Sequence, residues 1–220
     1  MSSSALKERS RGDGPRRRDG LWRNMKPRMK EQLRFLGGFL RGPTQVGAIG
    51  PSSPALAAEM IRGFDLAGCD TVVELGPGTG AFTGPILQSI GRQTTFFALE
   101  LDAKFVKALQ TRFPGVVVYN ASAERLQEHL SLLGKQAVDY IVSGLPWASL
   151  PMAVQDGVMA AILDSMRAGA QFTTFQYVHA RWLPNAVRFQ KRLRRSFARV
   201  ELSEVVWRNF PPAVVYRCTR

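Results

Sequence analysis

The chain is poor in the residues that make staples and metal sites. Among 220 residues there are two cysteines, Cys69 and Cys218, and two histidines. The cysteines lie far apart with no CxxC, which argues against a disulfide framework or a zinc site and favours a reducing, cytoplasmic setting. No run approaches 18 apolar residues, and the basic N-terminus lacks the apolar centre of a signal peptide, so neither a membrane span nor export is expected. Acidic residues are also scarce, 17 against 30 Lys and Arg, for a net charge of +13.

What is present suits one ordinary globular domain with a tail. Hydrophobic residues make up 45% and charged residues 21%, enough to bury a core. The charge is unevenly placed. Residues 1–41 hold 12 Lys/Arg and 4 Asp/Glu, +8 of the total +13, and RFQKRLRRSFAR (188–199) has six bases and no acid. Either run alone reads as a solvated face. Together, with apolar residues interleaved, they point to an anionic partner, nucleic acid or lipid.

Residues 1–20 read as a disordered basic tail. From 21 to 44 the pattern turns helical: Trp22, Met25, Met29, Leu33, Leu36 and Leu40 share one face, flanked by Arg23, Lys26, Lys30, Arg34 and Arg41. Such a helix either lies in a membrane interface or packs on its own domain. The domain itself is placed at 45–220. PSSPALAAEMIRGF (51–64) reads as a helix capped by Ser53 with Pro54 in its first turn. Strands near 71–75, 95–100, 116–120, 138–143 and 170–178 then alternate with helices near 81–90, 102–112, 124–133 and 150–167. That order predicts an α/β fold, a doubly wound Rossmann-like sheet. After a helix near 184–195, FARVELSEVVWR (197–208) and AVVYRCTR (213–220) read as an antiparallel hairpin joined by NFPP.

The chemistry is concentrated in TVVELGPGTGAFTGPIL (71–87). A strand reaches Glu74, and Gly76, Gly78 and Gly80 follow at alternate positions, with Pro77 and Thr79 between them. Glycines here let backbone approach a ligand. The spacing is not GxGxxG, and no Lys-Ser/Thr follows, so neither a dinucleotide fingerprint nor a P-loop is present. Glu100 ends the next strand, where a carboxylate can accept both hydrogen bonds of a ribose diol.

ELGPGTG (74–80), with Glu100 one strand later, resembles motif I and its partner acid in class I S-adenosylmethionine-dependent methyltransferases. The resemblance implies a seven-stranded sheet with an antiparallel C-terminal hairpin. It also implies S-adenosylmethionine as cofactor, with Glu74 near its methionine part and Glu100, followed by Leu101, at its ribose. NASAERL (120–126) falls at the adenine, making Ala123 and Glu124 candidates. DYIVSGLPW (139–147) falls beside the reacting methyl: Ser143, Gly144 and Leu145 would border the cofactor and Pro146 the acceptor. It is similar to the NLPY motif of rRNA adenine dimethylases but departs from it, with Ser143–Gly144 before Leu145 and Trp147 in place of Tyr. The chain also ends without the helical RNA-binding domain of those enzymes.

The whole chain resembles bacterial phospholipid N-methyltransferases of the phosphatidylethanolamine type. The matching pieces are the basic arm running into QVGAIGPSS (45–53), then ELGPGTG, SGLPW and VVWRNFPPAVVYR (205–217). The resemblance implies N-methylation of an aminophospholipid, phosphatidylethanolamine or alternatively an ornithine lipid. It also implies binding of residues 21–41 to an anionic membrane from the cytoplasmic side, with no metal. Nucleic acid becomes the less expected partner, though an RNA adenine methyltransferase, or a binding module without catalysis, stays open. Aromatic faces bind methylated cations well, so Tyr177 and then Trp147 are candidates for the headgroup. His179 is a candidate for the proton or the phosphate, and Arg181, or Arg208 with Asn209, for the phosphate.

Overall fold

A computed structural model describes residues 52–220. The expected tail at 1–20, the arm at 21–44 and the first residues of the 45–220 domain lie outside the described residues.

The helix α1 (Pro54–Ile61) starts where the sequence puts it. Ser53 Oγ accepts from Leu56 N at 3.2 Å, and Pro54, which lacks an N–H, takes the first turn. Then follow β1 (Thr71–Leu75), α2 (Thr83–Ser89), β2 (Thr95–Glu100), α3 (Ala103–Arg112), β3 (Val117–Asn120), α4 (Leu126–Leu132), β4 (Val138–Ser143), α5 (Met152–Ser165), β5 (Met166–Tyr177), α6 (Pro184–Ser196), β6 (Arg199–Leu202) and β7 (Ala213–Thr219). The seven strands lie in the order β3-β2-β1-β4-β5-β7-β6. β1 to β5 are parallel, and β7 runs antiparallel to both β5 and β6.

Alternation along the strands fills both faces. Val73, Leu75, Phe97, Leu99 and Ile141 join residues of α4, α5 and α6 in one apolar cluster. Val72, Tyr140 and Val142 join α1 and α2 on the other side, and Ala98 and Val118 pack with Val106 and Leu109 of α3. All five residues of β1 are buried, as a central strand covered on both faces requires. Strand order reverses at β1, with β2 on one side and β4 on the other. This switch point is where an open α/β sheet leaves a crevice beyond its carboxyl ends.

Two element boundaries differ from the sequence reading. The run 197–208 is not one strand: β6 stops at Leu202, and residues 203–212 form a loop held to β7 by Ser203, which exchanges hydrogen bonds with Val215 at 2.9 Å, and by a bridge between Val206 and Ala213. β5 begins at Met166 rather than near 170. Its pairing with β4 shifts between Val138–Met166 and Tyr140–Gln171, and Gly169, at φ +78°, lies inside that irregularity.

Candidate active site

The site is built where β1 and β4 end side by side. Gly76 N still donates to Leu99 O at 2.9 Å, prolonging the ladder, while its φ of +68° turns the chain out of the sheet. A Cβ at Gly76 would lie 2.7 Å from Leu145 Cδ2. Across from it, Gly144 N donates to Leu75 O at 2.8 Å, and a Cβ there would lie 2.6 Å from Gly76 O. The two loops therefore meet backbone to backbone, and glycine at 144 is a steric demand of a fixed carbonyl. Gly78 differs: it has φ +55° with open space where a Cβ would be, and its N–H donates to Glu100 Oε2 at 2.9 Å. Gly80 points inward, onto Phe113 and Leu109, so the third glycine serves the packing of α3 and not a ligand. Pro77 is buried, and Thr79 is exposed with its carbonyl accepting from Arg112 Nη1 at 3.0 Å.

The two carboxyls have different surroundings. Glu100 is 2% exposed; its Oε1 accepts from Asp102 N at 2.9 Å, and with Gly78 this accounts for both oxygens. Burial raises its pKa, and the backbone donors work against that rise. Glu74 is fully buried. Thr83 Oγ1 donates to its Oε2 at 2.6 Å, while Oε1 has no partner among the described residues. Burial pushes the Glu74 carboxyl up to about 8, against the Thr83 hydrogen bond that lowers it, with the nearby Glu100 adding to the rise. Burial thus favours its neutral form, and a cation beside it would favour the ionised one.

Beside Glu100 lies a cleft of about 400 Å³ including its open mouth, lined by Gly76, Leu99, Leu101, Ala121, Ser122, Ala123, Leu145, Leu150, Val154 and Val158. Apolar walls around one carboxylate fit a nucleoside with a ribose diol; Glu74 does not line this cleft, and its orphaned buried oxygen would accept from an ammonium brought against it. The residues present thus suit S-adenosylmethionine. Ala123 lines the cleft as expected. Glu124 does not: a Cβ at Gly157 would lie 2.3 Å from its Oε1, so this carboxylate sits over α5. Sequence reasoning missed Leu150, Val154 and Val158, whose four-residue spacing marks a helix face without saying what it faces. It also missed Thr83, one helical turn past the glycine loop.

On the acceptor side, the turn after β4 is held from within. Trp147 is 1% exposed, stacks on Phe189 at 4.6 Å and meets Phe172 edge-on at 6.2 Å. Its Nε1 donates to Ser143 Oγ at 3.1 Å, and Gln155 Nε2 donates to the Trp147 and Leu150 carbonyls at 2.8 and 2.9 Å. Trp147 is therefore not a free face for a headgroup cation, and its ring fixes the Gly144–Pro146 backbone; the aromatic core it joins comes from α6 and β5, out of reach of a local reading. Ser143, fully buried, serves the same turn; Pro146 is half-buried at its rim.

Tyr177 ends β5 half-buried, with its phenol pKa raised by burial. Phe82, Phe175, Tyr177 and the exposed His179 form a row, with ring centroids 5.8, 5.5 and 5.9 Å apart in turn. It runs from the end of the glycine loop to the end of β5. The phosphate candidates separate. Arg208 is exposed, but Asn209 is 2% exposed and internally committed: its Oδ1 accepts from Ser53 N at 2.9 Å and its Nδ2 donates to Pro211 O at 2.7 Å. Arg181 is half-buried, and its guanidinium Nε is buried with no hydrogen-bond partner among the described residues. Asn209 is thus a structural residue here, Arg181 keeps a guanidinium nitrogen unpartnered, and Arg208 lies at the surface. No group of three or more acidic, His or Cys residues able to hold a metal occurs among the described residues.

The family model described as ribosomal RNA adenine dimethylase matches residues 52–127, the third of the chain that carries the glycine loop and Glu100. Ribosomal RNA small subunit methyltransferase A of Dehalococcoides mccartyi (strain CBDB1) is 28% identical over 116 residues, 51% of this chain but 37% of that one. The ornithine lipid N-methyltransferase of Singulisphaera acidiphila is 30% identical over 193 residues, 86% of this chain and 96% of that one. Among solved structures, the O-methyltransferase from Bacillus cereus in complex with SAH superposes with a TM-score of 0.61 at 12% identity, over 90% of this chain and 93% of that one. The RNA enzyme is matched over about half of this chain and 37% of its own length, whereas the lipid enzyme is matched along nearly its whole length. With its site geometry this places the chain among the class I S-adenosylmethionine-dependent methyltransferases, in the family that includes the Singulisphaera ornithine lipid N-methyltransferase.

Proposed function

We propose that this methyltransferase acts on the primary amine of a membrane lipid head group, from the cytoplasmic side of the membrane. The near full-length similarity to an enzyme named for an ornithine lipid carries the reading. It also makes an ornithine lipid the first acceptor to try. Phosphatidylethanolamine is the second, favoured by the SGLPW turn and the WRNFPP loop discussed above. Residues 21–41, basic and apolar in sequence, would hold the enzyme at an anionic surface.

S-adenosylmethionine supplies an activated methyl group on a positively charged sulfur. The chain's own residues must place a neutral nitrogen in line with it. A primary ammonium comparable to lysine has a pKa of about 10.4, so presenting its lone pair at pH 7 costs about 4.6 kcal/mol. A partly dry site lowers that pKa, and fixed geometry contributes up to about 7–11 kcal/mol. The Gly144–Pro146 backbone, pinned by Trp147 and Gln155, provides the geometry. Phe175 and Tyr177 provide aromatic faces for the growing cation. In this arrangement no strong general base is needed, and water takes the proton.

The test is mass spectrometry of lipids from a bacterial host that makes phosphatidylethanolamine but no methylated lipid, alone and with an ornithine lipid synthase. Methyl gains on one lipid identify the acceptor. Unchanged lipids despite folded, cofactor-binding enzyme, with methylation of RNA instead, would overturn the proposal.

A further inference from the structure

Eight large apolar side chains stand exposed among the described residues. Val117 and Leu132, at the start of β3 and the end of α4, lie at the amino edge of the sheet. The other six, Met152, Trp182, Leu183, Leu202, Trp207 and Phe210, all lie at the carboxyl edge. Trp182 and Leu183 follow β5. Trp207 and Phe210 precede β7, whose first residue pairs with Tyr177 at the end of β5. Val178 N donates to Pro212 O at 2.8 Å, so the two loops are tied together. Trp182, Trp207 and Phe210 are 81%, 75% and 82% exposed. Rings left this open, gathered on two neighbouring loops, mark an interaction surface and not scattered exposure.

We propose that these loops are a second membrane contact, through which the folded domain inserts Trp182, Trp207 and Phe210 into the interface of a lipid bilayer. Indole rings, apolar with one N–H, favour the depth of the head groups. Arg208 sits between Trp207 and Phe210, and exposed Arg188 opens the basic face of α6 nearby. Such stems lie along acyl chains with their charge at an anionic surface. The acids of this edge weigh little against them: Asp156 is paired with Arg192, and Glu204 stands at the loop's far end from Phe210. Ser53, near the start of the described residues, is held by Asn209 inside the same loop, and the basic sequence precedes it in the chain. The lipid-amine reading explains why this edge is the right one: head groups reach the Gly144–Pro146 turn without leaving the bilayer.

The chain has four tryptophans, of which Trp147 is buried. In full-length Trp22→Phe, lipid-dependent fluorescence changes therefore report Trp182 and Trp207. Vesicles of phosphatidylcholine and phosphatidylglycerol with brominated acyl chains carry no primary amine, which separates membrane contact from acceptor choice. The expected result is quenching in Trp22→Phe that disappears in Trp22→Phe/Trp182→Phe/Trp207→Phe. In the otherwise native chain, Trp182→Ala/Trp207→Ala/Phe210→Ala should weaken vesicle binding at least about thirtyfold with S-adenosylmethionine affinity unchanged. Vesicle binding of Trp22→Phe without quenching would overturn the proposal. So would unchanged affinity in the alanine variant, or indoles already shielded before lipid is added, which would mean that the chain's own N-terminal segment covers the loops. Quenching without methyl transfer to any lipid amine would support the surface and overturn the acceptor reading instead.

Discussion

Replacing Glu74 by glutamine removes a titrating group from the centre of the fold while keeping its shape. In the native protein the carboxyl is held near a pKa of about 8 by burial, whereas an unfolded glutamate titrates near 4.5. Between those values the folded chain keeps a proton that the unfolded chain has lost, so stability falls as pH rises through that window. Below it the penalty vanishes, and above it the penalty is complete. Working the two equilibria from pH 5.5 to 7.5 gives a loss on the order of 2–3 kcal/mol from this one group. Glu74→Gln abolishes that part of the slope. Urea unfolding of both proteins without cofactor, at the two pH values, reads the difference directly, because other titrating groups largely cancel between them. The cofactor turns the sign around: an ammonium beside the unpartnered Oε1 needs the ionised form. Native affinity for S-adenosylmethionine should thus rise from pH 6 to 7.5, and the glutamine variant should bind about 10–150-fold more weakly. Equal pH slopes of stability in the two proteins would refute the reasoning, since they would mean that Glu74 is ionised in the folded chain.

Gly144→Ala forces a Cβ to within 2.6 Å of the Gly76 carbonyl. It should cost about 1–3 kcal/mol in denaturant unfolding and weaken cofactor binding, measured by calorimetry. Tyr177→Ala should lower kcat/KM for the lipid about tenfold or more while leaving cofactor affinity intact, and Tyr177→Phe should restore most of it; equal activity in the alanine variant removes Tyr177 from the site. Trp147→Phe loses the bond to Ser143 Oγ but keeps a ring against Phe189. It should cost about 1–3 kcal/mol, and Trp147→Ala about 3–5 kcal/mol, in thermal or urea unfolding.

Much of this enzyme is written locally. A helix start needs only Ser53 and Pro54, a buried central strand only its continuous apolar run, and a bare turn only its glycines. These signals act over a few residues, so the alternation of elements, the sheet class and the placing of the carboxyls Glu74 and Glu100 at strand ends were legible in sequence. Other features depend on partners far along the chain. Whether Trp147 is a binding face or a core ring is decided by Phe172 and Phe189, and whether Asn209 meets a ligand or a backbone is decided by Ser53. Gly80 looks like its two neighbours until α3 is placed against it. The six exposed apolar residues lie dispersed over the last third of the chain and become one surface only because β7 returns beside β5. Short-range order follows from propensity and periodicity, while the role of a side chain follows from which distant surface tertiary packing brings against it, or leaves off it.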